Sequence, residues 1–375
     1  MKRLFIIAAI SGIALAGCTK NEVVPSASEQ QEITFANPVS HVVTKVDLVR
    51  TTYPTTSSFS VFADYHKDAY ATAKSATSNF TAYMRGTEGV DVTHSTVVIE
   101  TDPAVYNSYW TSSNPYYWPK DGYLTFAAYS PADTKNDLIG TGPENIQINY
   151  DITNGVKITG YEVKTDLSNQ RDLMLSNRVV DQESTDMVYD DPSITPTAYD
   201  GVQLTFNHVL SAIKFSVAAD ADYSTDGYTI TLDKLSIKNA YTKGNLTQFA
   251  DINAETIGNV WGTTQNTPGD YTIATNAGNL TPTAKTFSGE THADLVLLPQ
   301  DLTRLVAPKK VVAEIIYTIK RVGLDATSIQ YTKEFVLDQT IDGSGTWDAS
   351  KRYIYTITIG MDKVIFAPSV GPWVD

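Results

Sequence analysis

The chain has 375 residues, with 42 acidic against 28 basic side chains and a formal charge of −14. That balance argues against nucleic acid or anionic lipid as an electrostatic partner. A hydrophobic share of 42% with 19% charged residues indicates a globular chain, and its one cysteine leaves no disulfide to hold the fold.

Lys2 and Arg3 precede an apolar run from Leu4 to Leu15, too short to span a bilayer as a stable helix. Leu15-Ala16-Gly17-Cys18 follows. A positive start, a short apolar stretch and small residues before a cysteine form a secretion signal with a lipobox, the sequence of bacterial lipoprotein precursors. The expectation is export, removal of residues 1–17, and a diacylglycerol group on the Cys18 thiol. Acyl chains contribute about 0.8 kcal/mol per buried methylene and would hold the product on a membrane. Thr19 rather than aspartate follows the cysteine, which favours the outer membrane. Residues 19–31 are small and polar and suit a tether.

Beyond the tether the pattern is that of β-strands. Period-two alternation begins at Ile33-Thr34-Phe35 and returns at Phe59-Ser60-Val61-Phe62 and Tyr123-Leu124-Thr125-Phe126. It continues at Val202 to Phe206, Ile213 to Val217, Tyr228 to Leu232 and, most cleanly, Tyr353 to Ile359; Val311 to Ile319 is a denser apolar strand. Turn clusters such as Asn114-Pro115, Gly140-Thr141-Gly142-Pro143 and Gly343-Ser344-Gly345 separate them. Long amphipathic helices are missing from the pattern. The fold class is therefore all-β, with two β-sandwich domains. The acidic, turn-rich stretch from Asp181 to Asp200 places a boundary near residue 200. One sandwich then occupies 51–200 and the other 201–375, with tether and first strand in 18–50.

The residues supply no catalytic or metal-binding constellation. His41, His66, His94, His208 and His292 lack zinc-ligand spacing, and there is neither a Gly-x-Ser-x-Gly elbow nor a phosphate loop. His208, in Phe206-Asn207-His208-Val209, reads as a hydrogen-bonded structural histidine rather than a base. Asp220, Asp222, Ser224 and Asp226 alternate like a calcium loop. Thr225 and Thr231 stand where such a loop wants glycine and glutamate, so the stretch reads as a hairpin turn between the Ile213 and Tyr228 strands. Trp118 and Trp347 either stack on sugars or fill a core. The expectation is no metal, no cofactor and no enzyme activity.

Three stretches carry a resemblance. Tyr117-Trp118-Pro119 precedes Leu124-Thr125-Phe126-Ala127-Ala128-Tyr129-Ser130-Pro131. Asp172-Leu173-Met174 precedes the run from Val202 to Leu210. Trp347 precedes Tyr353 to Ile359, close to Pro372-Trp373. With the lipobox in front, the chain resembles the fimbrillin family, lipoprotein precursors of the type V pili of Bacteroidales. The resemblance implies sandwiches of transthyretin-like (Greek-key) topology. It implies a trypsin-like cut near the end of the first strand, and a groove then filled by a strand from another subunit. On this sequence the removable strand is Ile33 and Phe35, the cut follows Lys45 or Arg50, and the candidate donor strand is Val364, Ile365 and Phe366. The family more usually carries arginine where Lys45 stands. Both cations also suit a solvated strand edge.

The implied partners are other fimbrial subunits, the outer membrane through lipid on Cys18, and a host or glycan receptor, with no nucleic acid. The implied place is the outer membrane and cell surface. Two readings stand beside each other: a fimbrial subunit or tip adhesin, and a monomeric surface lipoprotein that binds glycans.

Overall fold

The computed structural model describes residues 31–36, 38–43, 48–86, 88–99, 105–137, 147–184, 201–247, 260–262, 267–287, 295–303, 310–323, 327–338 and 345–372. Cys18 and Lys45 lie outside them. The described chain is nearly all β: its α-helix is the single turn Tyr70–Ala73. The strands form several mainly antiparallel sheets packed as β-sandwiches.

The N-terminal half is built on a ten-stranded sheet. Ser58–His66 and Tyr123–Ser130 lie antiparallel at its centre. Val90–Ile99 and Val105–Ser112 extend it on one side; Met174–Ser176, Thr205–His208, Val39–Val43 and Leu48–Thr52 extend it, in that order, on the other. Both faces of its centre are buried. Phe59, Val61, Ala63, Phe126 and Ala128 face a smaller core with Ile33 and Phe35. Phe62, Ala127 and Tyr129 face a larger core shared with the C-terminal half. Two polar side chains between them, Ser60 and Asp64, take partners within the protein. The Ser60 hydroxyl donates to Asp91 at 2.7 Å, and Arg85 pairs with the buried Asp64 carboxylate at 2.5 Å.

After Thr205–His208 the chain passes through Val209 and Leu210 straight into Ser211–Ala219 of the next sheet. There Ser211–Ala219 runs parallel to Lys351–Ile359, which turns back antiparallel into Val364–Pro372. Facing it is a four-stranded sheet ordered Pro268–Asn279, Tyr228–Tyr241, Val312–Arg321, Ser328–Val336. Between the sheets Phe215 stacks on Tyr355 at 5.4 Å, and the buried Trp347 indole donates to the Tyr355 hydroxyl at 2.7 Å. A three-stranded sheet, Gln147–Asp151, Gly155–Glu162 and Lys243–Thr247, joins strands from both halves. Tyr150 on it stacks face to face on Phe62 at 4.9 Å.

One connection differs from the sequence reading. Residues 220–227 join strands of two different sheets, so they form an arch across the sandwich and not a hairpin. Asp222 Oδ1 accepts from the Ser224 amide at 3.0 Å, and Gly227 closes the turn at φ 75°. That left-handed φ is one glycine adopts without a Cβ clash. Asp222 is thus a turn-capping group, and Asp220 accepts from the Tyr223 hydroxyl at 2.6 Å.

Candidate assembly site

The site begins with residues 31–36. The Ile33 amide donates to the Tyr116 carbonyl at 2.7 Å, and Phe35 exchanges both backbone bonds with Trp110, at 2.8 and 3.1 Å. On its other side the Val202 amide donates to the Thr34 carbonyl at 3.0 Å, and the Ala36 amide to the Val202 carbonyl at 3.2 Å. The bridges are antiparallel to Tyr117 and Trp110 and parallel to Val202. The segment is thus paired on both flanks, between Trp110 at the last strand of the ten-stranded sheet and Val202. Gly201 lets it fit: a Cβ there would lie 2.5 Å from the Ala36 nitrogen and the Phe35 carbonyl carbon.

Alternation turns Ile33 and Phe35 inward, both at 0% exposure. Phe35 meets Phe59 edge-on at 5.5 Å and Phe126 at 5.8 Å. Tyr53 completes this aromatic box. It stacks on Phe206 at 5.2 Å, meets Trp110 at 5.2 Å, and its hydroxyl donates to the Ser58 carbonyl at 2.9 Å. Burial pushes the Tyr53 phenol far above its ordinary range. Burying the two inward side chains contributes roughly 3–6 kcal/mol, at about 1.5–3 kcal/mol each.

The chain then runs on to the opposite rim of the ten-stranded sheet. The Tyr53 amide donates to the Pro38 carbonyl at 3.1 Å, and Val39–Val43 pairs in parallel with Thr205–His208 at the rim of the ten-stranded sheet. Leu48–Thr52 pairs antiparallel with Val39–Val43, its one sheet partner among the described residues, with Arg50 opposite His41. The second basic candidate therefore sits on an outermost strand.

At the other end, Val364–Pro372 is the edge strand of its sheet and, among the described residues, pairs with Lys351–Ile359 alone. Its inward residues are half-buried. Phe366 stacks on Phe335 at 5.0 Å and on Tyr355 at 5.5 Å, whereas Ile365 points outward at 48% exposure. Pro368 suits an edge, where a missing N–H breaks no ladder bond.

The remaining candidates resolve into structure. The His208 ring, fully buried, pairs with Asp172 at 2.9 Å. His66 has a nucleophile-like neighbour that the sequence reading did not anticipate, Thr125 Oγ1 at 2.9 Å from Nε2. Both residues are at 0% exposure, and Nδ1 faces the Asp68 carbonyl at 2.7 Å. Trp118 and Trp347 fill cores. An open cleft of about 390 Å³ beside Lys238, Asp270, Lys310, Glu314 and Glu334 has no aromatic wall for a sugar ring. No group of three or more metal-ligating side chains gathers among the described residues, and no helix among them is long and apolar enough to cross a membrane.

A family model described as fimbrillin-like matches residues 59–373. The chain belongs to the fimbrillin-like family. Its fold is similar to that of a fimbrial protein from Bacteroides vulgatus, at 19% identity and a TM-score of 0.59, covering 92% of this chain and 100% of that one. A candidate cell adhesion protein from Bacteroides uniformis aligns at 15% identity and a TM-score of 0.48, over 93% of this chain and 100% of its own. No curated protein matches. The family match starts at Phe59, so the aromatic box falls partly within it while the 31–36 segment lies before it.

Proposed function

We propose that this fimbrillin-like protein is a structural subunit or tip adhesin of a cell-surface fimbria. It is exported as a lipoprotein held at the outer membrane through Cys18. It assembles by β-strand exchange once its N-terminal segment has been cut after Lys45 or Arg50 and has left. One observation carries this reading. Residues 31–36 complete a core as a middle strand, and the chain leads from them into the rest of the fold through the rim strands Val39–Val43 and Leu48–Thr52, the stretch that holds the candidate cuts. A strand so placed can leave without unthreading anything else. The groove it vacates presents backbone partners on two sides and apolar pockets at alternate positions, which is what strand addition needs. Family membership supports fimbrial partners and a surface location. Val364–Pro372, an edge strand held on one side and half-buried, is the donor candidate within this chain.

The test is a low dose of trypsin on folded precursor. The expected result is one early cut after Lys45 or Arg50, a resistant core, and oligomers that grow from it. The double substitution Lys45→Ala with Arg50→Ala blocks both cut and growth. A core that is cut but stays monomeric at high concentration, with no partner able to add a strand, removes the mechanism and favours the monomeric binding lipoprotein. For the anchor, Cys18→Ser is expected to abolish maturation and membrane retention in cell fractions. Unchanged retention ends the lipoprotein reading.

A further inference from the structure

The N-terminal segment leaves two vacancies. Residues 31–36 vacate the place between Trp110 and Val202, while Val39–Val43 vacates the rim of the ten-stranded sheet beside Thr205–His208. The two vacancies differ in what remains next to them. Beside the second lies Leu48–Thr52, which then has no sheet partner among the described residues. We propose that Leu48–Thr52 is a replacement strand. After a cut between residues 43 and 48 it swings inward by one strand position and pairs with Thr205–His208, so that the 31–36 groove alone stays open to a partner. This rests on the strand-removal reading above.

Three observations support the swing. Phe206, Asn207 and His208 are buried, so losing Val39–Val43 strips ladder partners from a backbone that water reaches poorly. Unpaired buried backbone groups are costly, and a nearby strand relieves that cost. Next, the hinge is already built. Tyr53, directly after the strand, is held by Phe206, Trp110, Ser58 and Ser130, all of which remain after the cut. The strand therefore stays tethered within reach of the open rim, at very high effective concentration. Finally, the exchange keeps the pairing register. Arg50 lies opposite His41 and His41 opposite Asn207, so an inward shift brings Arg50 opposite Asn207. It also replaces a parallel pair with an antiparallel one, the stronger pairing per residue.

The experiment uses the full chain carrying Arg50→Cys and Asn207→Cys in a Cys18→Ser background. In the intact protein these positions are two strands apart, about 9–10 Å, beyond the roughly 7 Å that a disulfide spans. Losing Arg50 leaves Lys45 as the sole trypsin site between Lys20 and Lys67. Under mild oxidation the expected disulfide yield goes from a trace before the cut to most of the molecules after it, within single chains. A control pair, His41→Cys with Asn207→Cys, cross-links before the cut and shows that a cysteine at 207 is tolerated and oxidisable. If the fragment leaves, the control cross-links and the test pair stays reduced, the replacement strand is wrong while strand removal stands. Cross-links between chains give the rim to a second copy and overturn the inference equally. A disulfide that forms as readily before the cut also overturns it. A fragment that stays bound after cleavage overturns strand removal itself, and this inference with it.

Discussion

Phe35 is the residue on which the N-terminal core closes. Removing its ring leaves a cavity between Phe59 and Phe126 that a doubly paired backbone cannot collapse. Phe35→Ala is expected to destabilise the intact precursor by about 3–5 kcal/mol and Ile33→Val by about 0.5–1.5 kcal/mol, read from urea unfolding. Equal, small effects would mean the two side chains are not seated in the core. Four tyrosines make the fold alkali-sensitive. Burial is the leading cause that holds the phenols of Tyr53, Tyr129, Tyr150 and Tyr271 protonated well above the ordinary range. Their folded pKa is raised, so the stability they contribute is complete below about pH 10, the unfolded value, and falls as pH rises past it. Exposed tyrosines are expected to ionise first and reversibly, and the buried ones only together with unfolding. One smooth titration of all tyrosines without loss of structure would contradict this. At this scale the sequence showed which residues alternate. It did not show that Gly201 must lack a side chain or that Tyr53 belongs to the box, because both depend on segments brought together from more than fifty residues away in the chain.

Most strands were legible as elements, since half-buried strands carry their alternation openly. Lys351–Ile359 and Ser58–His66 contain the patterns that announced them. The pairings were less legible. The arch at 220–227 looks like a hairpin because turn chemistry is local, whereas the choice of sheet is made by core contacts. The segment at Ile33 and Phe35 alternates over too few residues to reveal that it is paired on both flanks. For the C-terminal edge strand, half-burial sets the energy scale. Phe366→Ala loses two ring stacks at 5.0 and 5.5 Å, and the expected cost is about 1–3 kcal/mol, below the value for a fully enclosed phenylalanine. Hydrogen exchange is expected to quicken along Val364–Pro372 and to stay slow along Ser58–His66. Ile365→Thr, at an outward position, is expected to change stability by no more than about 0.5 kcal/mol. A large effect there would place Ile365 in a buried contact.

In the whole molecule the ten-stranded sheet serves two cores at once. We propose that two sandwiches meeting near residue 200 unfold cooperatively, because Phe62 and Tyr129 on the N-terminal strands pack into the core that also holds Trp347 and Tyr355. Phe62→Ala is expected to lower the stability of both halves together, in one unfolding transition, by about 3–5 kcal/mol. Two well-separated transitions, with the C-terminal one unmoved, would show that the halves unfold independently. Alternation along Phe59-Ser60-Val61-Phe62 hinted at one buried face; the second was hidden because polar residues, Ser60 and Asp64, are buried on it. The 31–36 strand, bonded along both flanks, has a mechanical consequence. A strand held at a sheet edge peels away one bond at a time when pulled across its length. A strand held in the middle, with tension along its axis, shares the load among all its backbone bonds and must slide out whole. A fibre joined through this groove would therefore resist stretching far better than the modest burial at each joint suggests, and would yield by shear.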